Sequence, residues 1–390
     1  MTHRVLQYSL ATAILMSCHH NQNDTIQHNS IEKDMYFAVG TYTKKEGHVD
    51  GKAPGIYIAK LNEAELSIIV IDSLTGITNP SYVTIDDRGR KLYSVSETGD
   101  NLRSGMIKGY QYDAEWNFQE LNEASTHCNA PCHLALSSDQ DYIMTANYMG
   151  GISAHKIMEN GSIGPLTDTV FHMGFDPDSG RQSASHPHMI LQTPVDNQVL
   201  ISDLGSNKIF HYEVKDGMYQ LLASTLTLPN TGPRHAAHHP HKKYVYVLNE
   251  LNNTVEVFSY ADLTQEMDRK QSISTLSENT EAAGMSASAI KIHSSGKFLY
   301  TANRGNDQNF ISAFKINDTN GTLTIIQNID SEGEIPRDFE ISPSGKLMLV
   351  ANQNSDNIVL FKIDQNSGTL SKTDKSFHVL TPVCIKFFQP

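Results

Sequence analysis

An 18-residue unit recurs six times without a gap, and this repeat constrains the fold more than any other feature. PSYVTIDDRGRKLYSVSE (80–97) is followed by PCHLALSSDQDYIMTANY (131–148) and PHMILQTPVDNQVLISDL (187–204). PRHAAHHPHKKYVYVLNE (233–250), ASAIKIHSSGKFLYTANR (287–304) and PRDFEISPSGKLMLVANQ (336–353) complete the set. The starts lie 51, 56, 46, 54 and 49 residues apart. A seventh start, PVCIKF at Pro382, comes 46 residues later, close to the end of the chain. Its second half is found at the other end, where YFAVGT (36–41) matches the second half of a unit in character.

Each unit reads as strand, turn, strand. The turn carries residues such as Pro343–Gly345, and the second strand is rich in Tyr, Val and Leu. A third alternating segment follows, for example NTVEVFSY (253–260) or NIVLFKI (357–363), and then a more variable fourth. No helical period appears. Four strands per roughly fifty residues, repeated around a ring, describe a β-propeller blade. The expected fold is all-β: a seven-bladed β-propeller over residues 35–390, with four antiparallel strands per blade. The seventh blade draws strands from both chain ends, which closes the ring and removes exposed edges. A β-sandwich explains neither the ungapped repeats nor the split seventh.

In such a ring the first strand of each blade lines a central channel, and the second is its hairpin partner. The start of strand one and the end of strand two then share a face. The slot after the leading Pro holds Ser81, Cys132, His188, Arg234, Ser288, Arg337 and Val383. The next holds Tyr82, His133, Met189, His235, Ala289, Asp338 and Cys384. The last slot of strand two is read as Thr41, Glu97, Tyr148, Leu204, Glu250, Arg304 and Gln353. One channel mouth is therefore expected to gather His188, Arg234, Arg337, His133, His235, Glu97, Glu250 and Arg304. Histidine, arginine and carboxylate converging in a cleft suit acid–base chemistry on an anionic substrate. Polar mouths also serve propellers that only bind partners.

The four histidines of PRHAAHHPHKK fall in different slots. His235 lies at the mouth, and His241 lies in the far turn, roughly 20 Å away at about 3.3 Å per residue. One metal cannot bind them all, and no metal or cofactor is expected. There is no G-x-S-x-G elbow, no H-E-x-x-H, no EF-hand loop and no glycine-rich phosphate loop.

The net charge of −13, with no long basic run, argues against a nucleic-acid partner. A local arginine cluster can still attract a small anion. Residues 1–17 carry a short apolar run, Leu10–Met16, ahead of Ser17-Cys18. This reads as a lipoprotein-type signal peptide with Cys18 lipidated and first in the mature chain. Residues 18–34 read as a flexible tether. These features predict an extracytoplasmic, membrane-anchored domain, with a cytoplasmic location as the alternative, and a monomer. Cys128 and Cys132 either bridge or stay as buried thiols, the second being the plainer reading.

PRHAAHHPHKKYVYVLNELNNTVEVFSY, RQSASHPHM and SPSGKLMLVANQNSDNIVLFKID resemble the lactonase family of seven-bladed propellers, and YFAVGTYT resembles its first strand. That family includes bacterial 6-phosphogluconolactonases and a fungal carboxymuconate cycloisomerase. The resemblance runs from Tyr36 to the C-terminus. It implies an active site of His188 (or His186), Arg234, Glu250 and Arg304, and a recurrent loop with Arg181 and Gln182. The implied activity is metal-independent hydrolysis of a small anionic sugar lactone, such as 6-phospho-D-glucono-1,5-lactone. Glu250 or His188 would activate water, and Arg234 and Arg304 would hold the oxyanion. His133, His186, His235, Arg337, Glu97, Arg181 and Gln182 would contact substrate. A leader that exports the domain separates it from the cytoplasm, where that phosphorylated lactone is made. Two other readings stay open: a cycloisomerase-like enzyme on another lactone, and a non-catalytic extracytoplasmic propeller that binds a partner or glycan.

Overall fold

The computed structural model describes residues 34–47, 49–86, 88–99, 104–172 and 180–388. The leader, Cys18 and nearly all of the tether lie outside the described residues. Those described form seven four-stranded antiparallel sheets and one two-stranded hairpin, Lys45–Glu46 with Val49–Asp50. The expected seven-bladed propeller is the observed fold.

The inner two strands of blade 1 are Val83–Asp86 and Lys91–Ser96. Those of blade 2 are Asn129–Leu136 and Tyr142–Met149, and those of blade 3 are Pro187–Gln192 and Gln198–Asp203. Blade 4 uses Pro233–His238 and Tyr244–Asn249, and blade 5 uses Ser286–Ile292 and Phe298–Arg304. Blade 6 uses Pro336–Ile341 and Leu347–Asn352. Blade 7 pairs C-terminal Pro382–Phe388 with N-terminal Met35–Thr41, Val39 opposite Ile385. Each innermost strand touches its counterparts on both sides, so the ring is closed.

The core lies between blades rather than inside any one of them. Phe339, Val350 and Phe361 of blade 6 pack on Phe298, Tyr300 and Ile311 of blade 5, all fully or almost fully buried. Leu347, Leu349 and Leu360 face Phe37, Val39 and Ile385 across the closing seam. Both faces of a second strand are covered, which is why these strands read as near-continuous apolar runs. A repeated hook adds direction to the packing. The buried hydroxyls of Tyr93, Tyr246 and Tyr300 donate to the carbonyls of Gly161, Gly321 and Gly368 in the next blade, at 2.8, 2.9 and 2.8 Å. Those three glycines have φ of 85°, 73° and 75°, a region that side chains disfavour. Cys128, Cys132 and Cys384 are buried free thiols.

The closing strand supplies a core face and a channel wall together. Removing residues 382–390 should expose the edge of Met35–Thr41 and abolish a cooperative thermal transition. A truncated protein that still unfolds cooperatively, within a few degrees of the full chain, would contradict this account of closure.

Candidate active site

The channel mouth is built by one backbone irregularity repeated around the ring. In six blades the inner hairpin slips register by one residue near the start of its first strand. Pro131 faces Asn147 but His133 faces Ala146, and Pro233 faces Asn249 but His235 faces Leu248. The same bulge falls in blades 3, 5, 6 and 7. The extra residues are Cys132, His188, Arg234, Ser288, Arg337 and Val383. A bulge re-aims side chains that strict alternation would send to opposite faces. Two neighbours in sequence can then both serve the channel. Cys132, His188 and Arg337 border an open cleft of about 520 Å³ and, together with Tyr82, His235 and Asp338, a small pocket beneath it.

The end of strand two supplies the rest. Glu97, Tyr148, Glu250, Arg304 and Gln353 all line the cleft. The residue before each is buried and fixes nearby backbone or side chains. Asn147 donates to the Gly151 carbonyl at 3.0 Å, and Asn249 to Glu256 at 3.2 Å. Asp203 accepts from the amides of His186, Gly205 and Ser206, and pairs with buried His172 at 2.7 Å.

The closing blade departs from the sequence reading. Thr41 pairs with Pro382, as Asn249 pairs with Pro233. Tyr42, not Thr41, therefore occupies the slot of Glu97, Glu250 and Arg304. Thr41 is fully buried, like Asn249 and Asn303, and that small buried polar character is the signal that could have found the slip.

Two charged clusters face the cleft. Glu250 is 3% exposed, yet three guanidiniums surround it. Arg181 reaches Oε1 at 2.8 Å, while Arg234 and Arg304 reach Oε2 at 2.9 and 3.4 Å. Burial alone would raise this carboxyl, but Arg304 and Arg234 outweigh it and hold it well below the usual carboxylate range. Arg181 also donates to the Tyr148 hydroxyl at 3.0 Å, and Arg304 to the Ser286 hydroxyl at 3.2 Å. In the second cluster, Arg337 donates to the Tyr42 oxygen at 2.9 Å, and the Tyr42 hydroxyl donates to Glu97 Oε2 at 2.9 Å. Burial pushes the Tyr42 phenol far up, so it remains a donor.

Arg234 does not border the cleft. It sits beneath Glu250 at 2% exposure, donating to His235 Nε2 at 3.2 Å and to the Ser288 carbonyl. Its geometry is that of a group holding Glu250, and the cleft-facing guanidiniums are Arg181, Arg304 and Arg337. Gln182 is likewise turned away. Fully buried, its amide donates to the Leu204 carbonyl and to Asn207, both at 2.7 Å. Asn207 in turn accepts from the Gly232 amide, so Gln182 braces the start of the Arg234 strand. His186 donates from Nδ1 to the Tyr148 carbonyl at 2.7 Å and stacks on the Tyr148 ring, with centroids 4.4 Å apart. His133 and His235 lie below the floor, their ring centroids 6.0 Å apart. Burial holds His133, His188 and His235 well below the ordinary histidine value, so all three are neutral at pH 7. Burial also pushes the Cys132 thiol far up, which leaves it a poor nucleophile. In the four-histidine stretch, His239 hydrogen-bonds the Gly296 carbonyl and His238 packs edge-on to Tyr260, away from His235. Among the described residues no cluster of His, Cys, Asp and Glu has the makings of a metal site.

The floor thus carries four arginines against two glutamates, in a chain of net charge −13. Such a concave cationic patch draws a small anion and can stabilise an oxyanion. It also predicts a pH-dependent contribution to stability. Glu250 has a depressed folded pKa, so its contribution is complete above the unfolded value near about 4.3 and is lost as pH falls toward the folded one. Glu250→Gln should cost about 3 kcal/mol at pH 7, because it strands buried cations. That gap should narrow in denaturant titrations below about pH 4. A gap independent of pH would contradict the assignment.

Comparison with known proteins agrees with the fold. The model of a family described as "Lactonase, 7-bladed beta-propeller" matches residues 36–387. The chain is 32% identical to the 6-phosphogluconolactonase of Bacillus subtilis (strain 168), over 90% of this chain and 97% of that one. A crystal structure of a protein from Lactobacillus plantarum superposes with a TM-score of 0.83 at 30% identity, covering 92% of this chain and 100% of that one. The Pseudomonas aeruginosa periplasmic gluconolactonase superposes with a TM-score of 0.81 at 26% identity, covering 92% and 99%. The chain belongs to the lactonase family of seven-bladed β-propellers.

Proposed function

We propose that this protein hydrolyses the lactone of an anionic sugar acid, with 6-phospho-D-glucono-1,5-lactone as the reference substrate. The observation that carries the reading is the cationic floor. Arg181, Arg304 and Arg337 face a cleft of about 520 Å³, large enough for a sugar lactone. A guanidinium fork matches phosphate or carboxylate, and the same donors can meet the oxyanion that forms when water attacks the carbonyl.

Glu250 is better suited to assembling this floor than to taking a proton. Both its oxygens are engaged by arginines, and its conjugate acid is disfavoured. The remaining cleft-facing proton acceptors on the floor are the neutral imidazole of His188 and the carboxylate of Glu97. The relatives named 6-phosphogluconolactonase and periplasmic gluconolactonase support a lactone substrate. The latter also supports an extracytoplasmic site of action, in keeping with the reading of residues 1–17 as a leader and of Cys18 as a lipid anchor. In that compartment we propose an aldonolactone carrying a carboxylate or phosphate. The domain acts as a monomer and uses no metal.

A panel of phosphorylated, carboxylated and neutral lactones, and muconolactones, assayed at controlled pH, tests the activity. Acceleration of an anionic sugar lactone above its spontaneous rate is expected. Arg304→Ala should reduce kcat/KM for it by about 100-fold or more. Turnover of muconolactones alone would transfer the assignment to a cycloisomerase-like reaction. No acceleration of any lactone would leave a binding propeller. Fractionation with a palmitate label should find the protein in the membrane fraction and labelled, and Cys18→Ala should release it.

A further inference from the structure

We propose that Glu97 is the catalytic base on the attacking water, with Tyr42 and Arg337 as its positioning residues. The inference rests on the lactone-hydrolase reading above and gives to Glu97 the water-activating role expected of Glu250 or His188.

The two carboxylates of the floor differ in what they have left to offer. Glu250 has both oxygens occupied by guanidiniums. Glu97 has one oxygen occupied, by the Tyr42 hydroxyl at 2.9 Å, and its other oxygen has no hydrogen-bond partner among the described residues. Tyr42 is itself fixed from behind. Arg337 donates to its oxygen at 2.9 Å and lies over its ring at 5.4 Å. A guanidinium that donates to a phenol oxygen strengthens the phenol's own donation, so the chain from Arg337 through Tyr42 to Glu97 fixes the carboxylate in rotation. These residues come from blades 6, 7 and 1, across the seam where the two chain ends meet.

Another, independent observation lies under the floor. Glu97 borders the cleft and also a pocket of about 20 Å³ directly below it, which has room for one water. Ser81 lines that pocket at 5% exposure, and its hydroxyl has no hydrogen-bond partner among the described residues. A buried hydroxyl calls for a partner, and a water seated between Ser81 and Glu97 supplies one. Glu97 then bridges a substrate water above and a held water below.

The step balances without a co-reactant. Glu97 takes one proton from the cleft water. The freed O–H pair forms the bond to the lactone carbonyl carbon, and the carbonyl π pair moves onto its oxygen, facing the arginines. Collapse reforms the carbonyl and breaks the bond to the ring oxygen. The ring oxygen receives the proton back from Glu97, and the new carboxylic acid then ionises into solvent.

The test is the pH profile of the purified full-length protein and two variants on the best lactone of the panel. Glu97→Gln should lower kcat by about 100-fold, with KM within a few-fold, and should remove the acidic limb of the kcat/KM profile. Tyr42→Phe should lower kcat by about tenfold with KM within a few-fold, and keep the acidic limb, because the carboxylate loses the donor that fixes its rotation. It serves as the alternative probe if Glu97→Gln does not fold. The proposal is overturned if Glu97→Gln retains its rate and acidic limb, or if Tyr42→Phe retains the wild-type kcat. It is also overturned if the limb disappears in His188→Gln and survives in Glu97→Gln. A wild-type protein inactive on every lactone sinks the hydrolase reading itself, and is told apart because no variant is needed to see it.

Discussion

One buried carboxylate organises the channel mouth. Glu250 draws Arg181, Arg234 and Arg304 from a loop and two blades to a single point. Without it, Arg234 and Arg304, buried this deeply, would repel one another in a low dielectric. With it, one face of Arg181 and Arg304 is satisfied while the guanidiniums still reach the cleft. Arg337 completes the floor, donating to Tyr42, whose hydroxyl donates on to Glu97. The result is a site that keeps a net positive charge, with three of its four guanidiniums in direct contact with one carboxylate.

The backbone makes this economical. A propeller gives one short strand per blade to the channel, too few positions for a polar cluster and a packed interior under strict alternation. The bulge near the start of the inner strand resolves the conflict. The extra residue reaches the cleft in three blades, as Cys132, His188 and Arg337. The residue that follows points down into the channel, as His235 and Asp338 do. The inter-blade tyrosine hooks and apolar seams then hold neighbouring blades, so residues from different blades keep fixed distances at the floor.

Much of this was legible in the sequence, because repeats convert position into geometry. Blade number, ring closure, and the convergence of Glu97, Glu250, Arg304 and Arg337 all follow from an ungapped 18-residue unit. What was not legible depends on where single side chains point. The bulge cannot be counted from residue spacing, so His133 and His235 were expected at the mouth and lie beneath it. The closing blade hid Tyr42, because its two halves come from opposite chain ends and carry no shared register. Arg234 and Gln182 were expected to meet substrate, and they hold Glu250 and the start of the Arg234 strand. In both cases a polar residue type matched two roles, and only burial distinguished them.

The central claim is that the mouth selects an anion through its guanidiniums. Calorimetric titration with an aldonate product and with the neutral sugar alcohol of equal carbon number addresses it most directly. The account predicts that the anion binds at least tenfold more tightly at low salt, with the preference shrinking as ionic strength rises. Equal affinity for the two, unchanged by salt, would contradict it.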